Sequence, residues 1–396
     1  MTRTPSPTST TSSRSASLLR LLLSAAVVVA AGLALWAFTV QDSAAQNESE
    51  SNLGLKAGKV DLKSIGALEM GPSGVLFVAD SVGSSVYALG VGQPRASGEA
   101  VDQVEDLDGQ IAAMLGTQPR NVFIQDMAVD TDTGTTYLSI HRGQGEAARP
   151  VLLRVMRDGE IGEVALENIP HARVDISDAP AKDAKMYRWE ARALTVTDLE
   201  FVDGELLIAG LSNEEFASTL RRVPFPFEGE VAVTGLEIYH GAHGEFETFA
   251  PIFSFIPYEL GGKTHLLAGY LCTPLVTFPL EEIRSKAKLR GKTIAELGFG
   301  NIPTDLVAYE HGGEGYLLVL NSRRGPMLIK SADLQEAQKR PGITTEVGPR
   351  TGVDYLTPAL RTAVQVADLD PDHLMVLDRS AENGALSLRA HSKRWM

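Results

Sequence analysis

The chain has 396 residues with a formal net charge of −14, and 37 of the residues are glycine. Few long helical patterns occur, so length and composition favour one large all-β domain over a helix-rich α/β enzyme. The acidic balance argues against nucleic acid or an anionic lipid surface as a partner and favours cations or basic partners. The single cysteine, Cys272, excludes an internal disulfide.

The amino-terminal segment predicts export. Arg20 precedes a nearly continuous apolar run, residues 21–40, that is long enough to span a membrane. The small residues Ser43-Ala44-Ala45 would suit a signal peptidase, so residues 1–45 are either a cleaved signal peptide or a signal anchor held in the inner membrane by residues 21–40. In both cases the basic residues before the run send the rest of the chain out of the cytoplasm, to the periplasm or the exterior. Contact with the membrane is expected only through this segment, if it is uncleaved.

After a polar linker at residues 46–57, the remainder, residues 58–396, predicts a β-propeller. The stretch from Thr197 to Val223 alternates apolar and polar residues in three runs, with Asp203-Gly204 between the first two. Such a pattern indicates an antiparallel meander, which is the core of one propeller blade.

Similar units occur six times, which predicts a six-bladed propeller. The last unit supplies only three strands, so we expect residues 58–63 to pair with residues 385–391 and close the ring. A short helix is expected around residues 111–115, and residues 161–173 are expected to supply the outer strand of the second blade. The residues that precede the first apolar position of each inner strand are Ala67, Asp126, Asp198, Ser254, Asp305 and Asp368.

Two segments, GVLFVAD at residues 74–80 and GELLIAG at residues 204–210, resemble the repeats of six-bladed propellers of the NHL and TolB-like kind. SNEEFASTLRR and GAHGEFETFAPIFSFIPY are similar to segments of uncharacterised bacterial secreted propeller proteins. The resemblance implies the fold over residues 58–391 and an extracytoplasmic compartment, but no activity. Calcium-dependent lactonases and phosphotriesterases share this architecture, yet their ligand motif does not map onto this chain residue by residue.

In a propeller, the start of each inner strand and the end of each second strand lie on one face, around the central channel. We call this the channel face. Its polar residues are candidates for binding a small-molecule or protein ligand, although the aspartates could instead cap turns and the arginines could pair with aspartates. The candidates are Asp126, Asp198, Asp305 and Asp368 at the inner strands, and His141, Asn321 and Arg324 at the second strands.

A divalent cation, either calcium or a transition metal, could be held by Asp198 and Asp305 or by His243 and Glu247. The alternative for the His240-x-x-His243 pair is a solvated loop, because Gly241 lies between the histidines and Gly244 follows them. Cys272 lies between apolar runs and is either a buried structural thiol or a reactive or ligating one. Aromatic residues on long loops, Tyr187, Trp189 and Phe216, could form a wall over the channel or cover its rim.

Three functions remain open. The first is an extracytoplasmic propeller that binds a ligand or protein partner at its channel face. The second is a metal-dependent hydrolase or oxidoreductase with its site at the channel mouth, and the third is a structural module of an envelope assembly. The sequence contains no nucleophile elbow, phosphate loop, dinucleotide fingerprint or haem-attachment motif. Enzymatic activity and catalytic residues are therefore left undecided.

Overall fold

The computed structural model describes residues 1–2, 53–272 and 274–395 of the chain, and one compact unit begins at Leu53. The predicted signal segment lies outside the described residues, apart from its first two positions. Among the residues that are described, no helix combines the length and the apolar character needed to cross a membrane.

Short strands joined by tight turns dominate the first half of the described chain, as the alternating pattern predicts. They are β1 (Lys56–Gly58), β2 (Leu68–Met70), β3 (Val75–Asp80), β4 (Ser85–Gly90), β5 (Gln103–Val104), β6 (Val122–Asp130), β7 (Thr135–Arg142), β8 (Arg149–Val155), β9 (Ile161–Glu163), β10 (Ile169–Asp175), β11 (Lys185–Met186) and β12 (Trp189–Glu190).

The second half continues the same way. Its strands are β13 (Asp198–Val202), β14 (Glu205–Leu211), β15 (Ser218–Pro224), β16 (Ala232–His240), β17 (Glu245–Glu247), β18 (Ile252–Leu260), β19 (Lys263–Tyr270), β20 (Pro274–Pro279), β21 (Lys288–Arg290), β22 (Lys292–Glu296), β23 (Pro303–His311), β24 (Glu314–Asn321), β25 (Met327–Lys330), β26 (Ala363–Asp370), β27 (His373–Arg379) and β28 (Leu386–Ser392). The helices are α1 (Leu107–Met114), which includes most of the helix predicted there, α2 (Leu280–Ile283) and α3 (Ser331–Lys339).

Apart from the separate hairpin β11–β12, these strands form six small sheets that are antiparallel except where β21 joins β16, so the prediction of a six-bladed β-propeller is confirmed. Blade one contains β2, β3 and β4, and blade two runs from β6 to β9. Blade three runs from β13 to β16, and blade four contains β18, β19, β20 and β22. Blade five contains β23, β24 and β25, and blade six contains β26, β27 and β28. The predicted turn joins β13 to β14, and Asp203 and Gly204 both have positive φ values, 52° and 79°, as a two-residue hairpin turn requires.

The order of the blades around the ring differs from their order in the sequence. The inner strand of blade one, β2, contacts β6 of blade two and β13 of blade three, whereas β6 also contacts β26 of blade six. Blade one is therefore inserted between blades two and three. The core follows the same order, because each of six buried hydrophobic clusters lies between two blades that are neighbours in this ring.

The predicted ring closure is wrong. Strand β1 pairs with β10, which is the fourth strand of blade one, and β28 pairs with β5. Blade six is thus completed by residues 103–104, from the insertion after blade one. The predicted outer strand of blade two, residues 161–173, is divided between two blades. Strand β9 pairs with β8 in blade two as predicted, but β10 pairs with β4 in blade one. Strand period alone does not identify which sheet edge a distant short strand will occupy.

Candidate functional site

Three of the predicted aspartates, Asp126, Asp198 and Asp305, line the central channel and occupy equivalent positions on inner strands. Each carboxylate accepts a backbone N–H from the inner strand of the next blade. The structure therefore gives these aspartates a bracing role between blades. The three bonds are Leu68 N to Asp126 Oδ2 (2.7 Å), Phe255 N to Asp198 Oδ2 (2.8 Å) and Val366 N to Asp305 Oδ2 (2.8 Å).

The fourth predicted aspartate, Asp368, is not equivalent to the others. The ladder of blade six shifts register between Ala363 and Gln365, as blade five does between Pro303 and Asp305, so Gln365 holds the position aligned with Asp305. Asp368 lies further along its strand, where it pairs with Lys393 at 2.7 Å. In the run QVADLD, both aspartates lie an odd number of residues after Gln365 and so do not share its position in the strand. The sequence of one blade does not show where its bulge lies.

The channel cavity, of about 420 Å³, brings several carboxyl groups together among the inner strands. Burial raises the pKa of Glu69 to about 8, of Asp305 to about 8 and of Asp126 to about 6. The pKa values of Asp198 and Glu200 are raised well above their usual range by burial first, and then by neighbouring carboxylates. Several of these groups are therefore protonated in the folded protein at neutral pH.

Because these folded-state pKa values are raised, the native chain binds more protons than the unfolded chain from about pH 4 to about pH 8. The contribution to stability is complete below that window and is lost as pH rises through it. We expect the melting temperature to fall by roughly 5 °C between about pH 5 and about pH 8. Calorimetry in buffers of constant ionic strength measures this slope.

Asp305→Asn provides the specific check, because an amide oxygen can still accept the Val366 N–H but carries no charge. The variant should show a flatter pH profile and a higher melting temperature than the wild type at about pH 8. Asp183→Asn, at an exposed position, is the matched control and should keep the wild-type slope. An unchanged slope in Asp305→Asn would contradict the assignment to the channel.

The other predicted ligand residues are not brought into one site. His141 accepts the Ile65 N–H at 3.2 Å and lines a separate groove beside blade two. Asn321 accepts a bond from Asn301 at 2.7 Å, and Arg324 lies against the backbone at Gly298. These residues occupy the predicted face but serve local contacts.

A second cavity, of about 480 Å³, opens on the channel face between blades three, four and five, and we call it the face pocket. It shares no lining residue with the central channel. One wall is the hairpin β11–β12, where Tyr187 contacts Phe249 and Trp189 contacts Phe253, both at ring-centroid distances of 6.2 Å. Tyr187 and Trp189 thus form an aromatic wall, but it lines the face pocket and not the central channel over which it was predicted. Phe216 lies elsewhere, beneath Lys288.

The polar lining of the face pocket comes from a turn and two strand ends. Strand β16 ends at His240, and the turn to β17 brings His243 and Glu247 beside it. Glu247 accepts hydrogen bonds from both imidazoles, with His240 Nδ1 at 2.8 Å from Oε2. Burial raises the pKa of Glu247, but the hydrogen bonds from the two imidazoles counteract burial, and the pKa is lowered. Glu247 is therefore an ionised acceptor.

Cys272 lies across from these imidazoles, just after β19, and adopts a left-handed backbone with φ of 66°. Its Sγ and one ring nitrogen each of His240 and His243 lie within 4.8 Å of one another. In the part of the chain that the structure describes, this is the group of three potential ligands close enough to share a metal ion. The four predicted metal residues separate accordingly: His243 and Glu247 belong to the face pocket, and Asp198 and Asp305 to the channel.

The two alternatives left open for this pocket are each met in part. The His-x-x-His turn is buried at its start, where His240 is 1% exposed and Gly241 N donates to the carboxylate of Glu296 at 2.7 Å, but the His243 side chain is 40% exposed. Cys272 is only partly buried. The spacing of His240, His243 and Glu247 was visible in the sequence, but the contribution of Cys272 depends on the packing of blade four against blade three.

No protein-family model and no curated protein sequence matches this chain. Among solved structures, the chain is similar to the extracellular domain of BT4673 from B. thetaiotaomicron, described as a one-component system, with 9% identity and a TM-score of 0.35 over 85% of this chain. The match spans 40% of that longer chain.

Two further solved structures show comparable similarity. A luciferin-regenerating enzyme has 11% identity and a TM-score of 0.26, over 86% of this chain and 96% of its own. A chain of the mitotic checkpoint complex has 8% identity and a TM-score of 0.30, over 85% of this chain and 94% of its own. The propeller assignment rests on the strand pairing of this chain itself, and no activity is carried over from these proteins.

Proposed function

We propose that this chain is an extracytoplasmic propeller that binds a small organic ligand in the face pocket. The ligand would combine an aromatic or apolar body with an anionic group. The extracytoplasmic location is supported by Arg20 and the apolar run at residues 21–40. The ligand class is supported by the lining of the pocket.

The observation that carries the proposal is an open cavity with an aromatic and apolar wall and two cationic side chains. Tyr187 and Trp189 line it together with Ala250, Leu271 and Ile302. Pockets of this size and composition are typical of small-molecule sites. Tyr187 lines the pocket and remains 64% exposed, so much of its ring is free to contact a ligand.

The anionic preference follows from Arg188 and Arg323. The Arg188 guanidinium lies 4.8 Å from the centre of the Trp189 ring, and Arg323 lines the opposite, blade-five side of the pocket. Guanidinium groups bind carboxylates through paired, charge-assisted hydrogen bonds. The chain as a whole has a net charge of −14 and repels anions, so these two arginines provide a local positive charge that can attract an anionic ligand to the pocket.

Titration of the purified full-length chain with 1-naphthoate, followed by calorimetry, tests the proposal. The neutral analogue 1-naphthamide should bind more weakly, and both Arg323→Ala and Trp189→Ala should weaken naphthoate binding about tenfold or more. Arg379→Ala, at the corresponding strand end of blade six, is the matched control and should bind as the wild type does. Equal affinity for the two compounds, or an unchanged affinity in Trp189→Ala, would rule the proposal out.

A second candidate is a metal-dependent hydrolase or oxidoreductase acting in the same pocket. It is favoured by one observation, the convergence of two imidazoles and a thiol on the pocket lining. Turnover of a chromogenic ester that depends on added metal and is lost in His240→Ala would support it over binding alone.

A further inference from the structure

Three side chains that line the face pocket have the composition and spacing of a transition-metal site. Their potential ligand atoms, two ring nitrogens and Cys272 Sγ, lie within 4.8 Å of one another. In a tetrahedral zinc site, with bonds of about 2.0 to 2.3 Å, ligand atoms are about 3.5 Å apart. A contraction of at most about 1.3 Å would therefore bring all three atoms to bonding distance, and the partly exposed side chains of His243 and Cys272 have room to rotate.

His240 supplies an independent indication. Its imidazole is 1% exposed, its Nδ1 is bonded to Glu247, and its Nε2 is buried without a hydrogen-bond partner among the described residues. Buried polar atoms in native proteins almost always have a partner, which is a protein group, an ordered water or a bound ion. A metal ion at Nε2 satisfies this atom.

Glu247 prepares both imidazoles for that role. A carboxylate can only accept hydrogen bonds, so the bonded Nδ1 atoms of His240 and His243 carry the protons and each Nε2 keeps its lone pair. Carboxylate-bonded histidines of this kind are the usual arrangement behind a metal, where the second group orients the ring and increases its basicity. Glu247 is therefore a positioning residue.

The donor set selects the class of ion. Two imidazoles and a thiolate suit zinc or copper, whereas calcium and magnesium require several oxygen ligands. Three protein ligands leave one position of a tetrahedral ion open, and the three side chains face the cavity that also contains Tyr187 and Trp189. The open position can thus take water or a donor atom of a bound molecule.

We propose that His240, His243 and Cys272 bind one divalent first-row transition ion, Zn²⁺ or Cu²⁺, in the face pocket, with Glu247 orienting both imidazoles. This deepens the proposed function, on which it rests for the presence of a ligand next to the ion. Metal binding itself requires no organic molecule and can be measured separately.

The test uses the purified full-length chain, stripped with a chelator and titrated with Co²⁺ under anaerobic conditions. We expect one equivalent to produce a thiolate-to-cobalt charge-transfer band and the visible bands of a tetrahedral ion, both displaced by Zn²⁺. Cys272→Ser should abolish the charge-transfer band, and Cys272→Ser and His240→Ala should each weaken Zn²⁺ binding at least about 100-fold, while Glu247→Gln should weaken it about 10–100-fold. Metal analysis of the unstripped protein then distinguishes zinc from copper.

His373→Ala is the matched control, because His373 is a partly exposed histidine bonded to Asp370 in blade six. It should bind Co²⁺ as the wild type does. If His240→Ala fails to fold, Cys272→Ser still tests the site, because this side chain is only partly buried. The absence of a thiolate band, or Zn²⁺ affinity that is unchanged in Cys272→Ser and His240→Ala, would overturn the proposal. Naphthoate binding that persists in the chelator-treated chain would show that the ligand proposal survives without the metal.

Discussion

Replacing Arg221 with methionine should lower the free energy of unfolding by about 3–5 kcal/mol. The guanidinium is 0% exposed and donates to three acceptors from different segments: the Asp178 carboxylate at 2.8 Å, the Thr195 carbonyl at 3.2 Å and the Leu211 carbonyl at 2.9 Å. Methionine fills a similar volume but leaves a largely buried carboxylate without its counter-ion and two carbonyls without donors. Denaturant unfolding measures the loss.

Arg173→Met is the control for this prediction. Its ion pair with Asp175 is solvated, with side chains 45% and 73% exposed, so the substitution should cost no more than about 1 kcal/mol. The double variant Arg221→Met with Asp178→Asn should recover part of the loss, because the uncompensated charge is removed. Equal effects of Arg221→Met and Arg173→Met would show that burial does not determine the strength of this contact.

Phe77→Ala should be comparably destabilising, by about 3–5 kcal/mol. Phe77 is fully buried in blade one, and its ring centroid lies 5.5 Å from that of Phe201, 5.1 Å from Phe225 and 5.9 Å from Phe227, all in or beside blade three. This aromatic cluster fills the interface between blades one and three, which are not consecutive in the sequence. Truncation leaves a cavity at that joint that neighbouring rings cannot fill without moving the backbone.

Thermal and denaturant unfolding of two further variants provide the comparison. Phe77→Leu keeps most of the buried volume and should cost about 1–2 kcal/mol. Phe299→Ala, at a ring that is 42% exposed on a loop of the channel face, should cost less than about 1 kcal/mol. A small effect of Phe77→Ala would mean that the joint between blades one and three is held mainly by backbone contacts.

The number and kind of blades could be predicted because each blade is encoded locally. Alternation and an Asp-Gly turn define the β13–β14 hairpin without reference to any distant residue, and the structure reproduces it in register. The equivalence of Asp126, Asp198 and Asp305 was likewise readable, because each is followed by the first apolar position of an inner strand.

What the sequence did not reveal depends on distant contacts. The pairing of β28 with β5 involves a two-residue strand, too short for any periodic signal. Asp368 was misaligned because Asp368-Leu369 repeats the Asp-apolar pattern of the other inner strands three residues beyond Gln365, which is the residue that pairs as Asp305 does. The proximity of His240 to Cys272 requires blades three and four to pack against each other. The burial of His240 depends on a contact that the glycines of the turn do not predict, the hydrogen bond from Gly241 N to Glu296.

The insertion of blade one between blades two and three has a consequence for biogenesis. As the polypeptide emerges from the ribosome or a translocation pore, the first three strands of blade one, β2 to β4, have no outer strand until residues 169–175 arrive. Residues 103–104 must wait for the last strand to be made. Folding therefore depends on pairing between strands that are far apart in the sequence, which makes folding slow. Incomplete chains expose unpaired strand edges that can aggregate. Such a topology suits a protein that folds only after release of its carboxyl-terminal end.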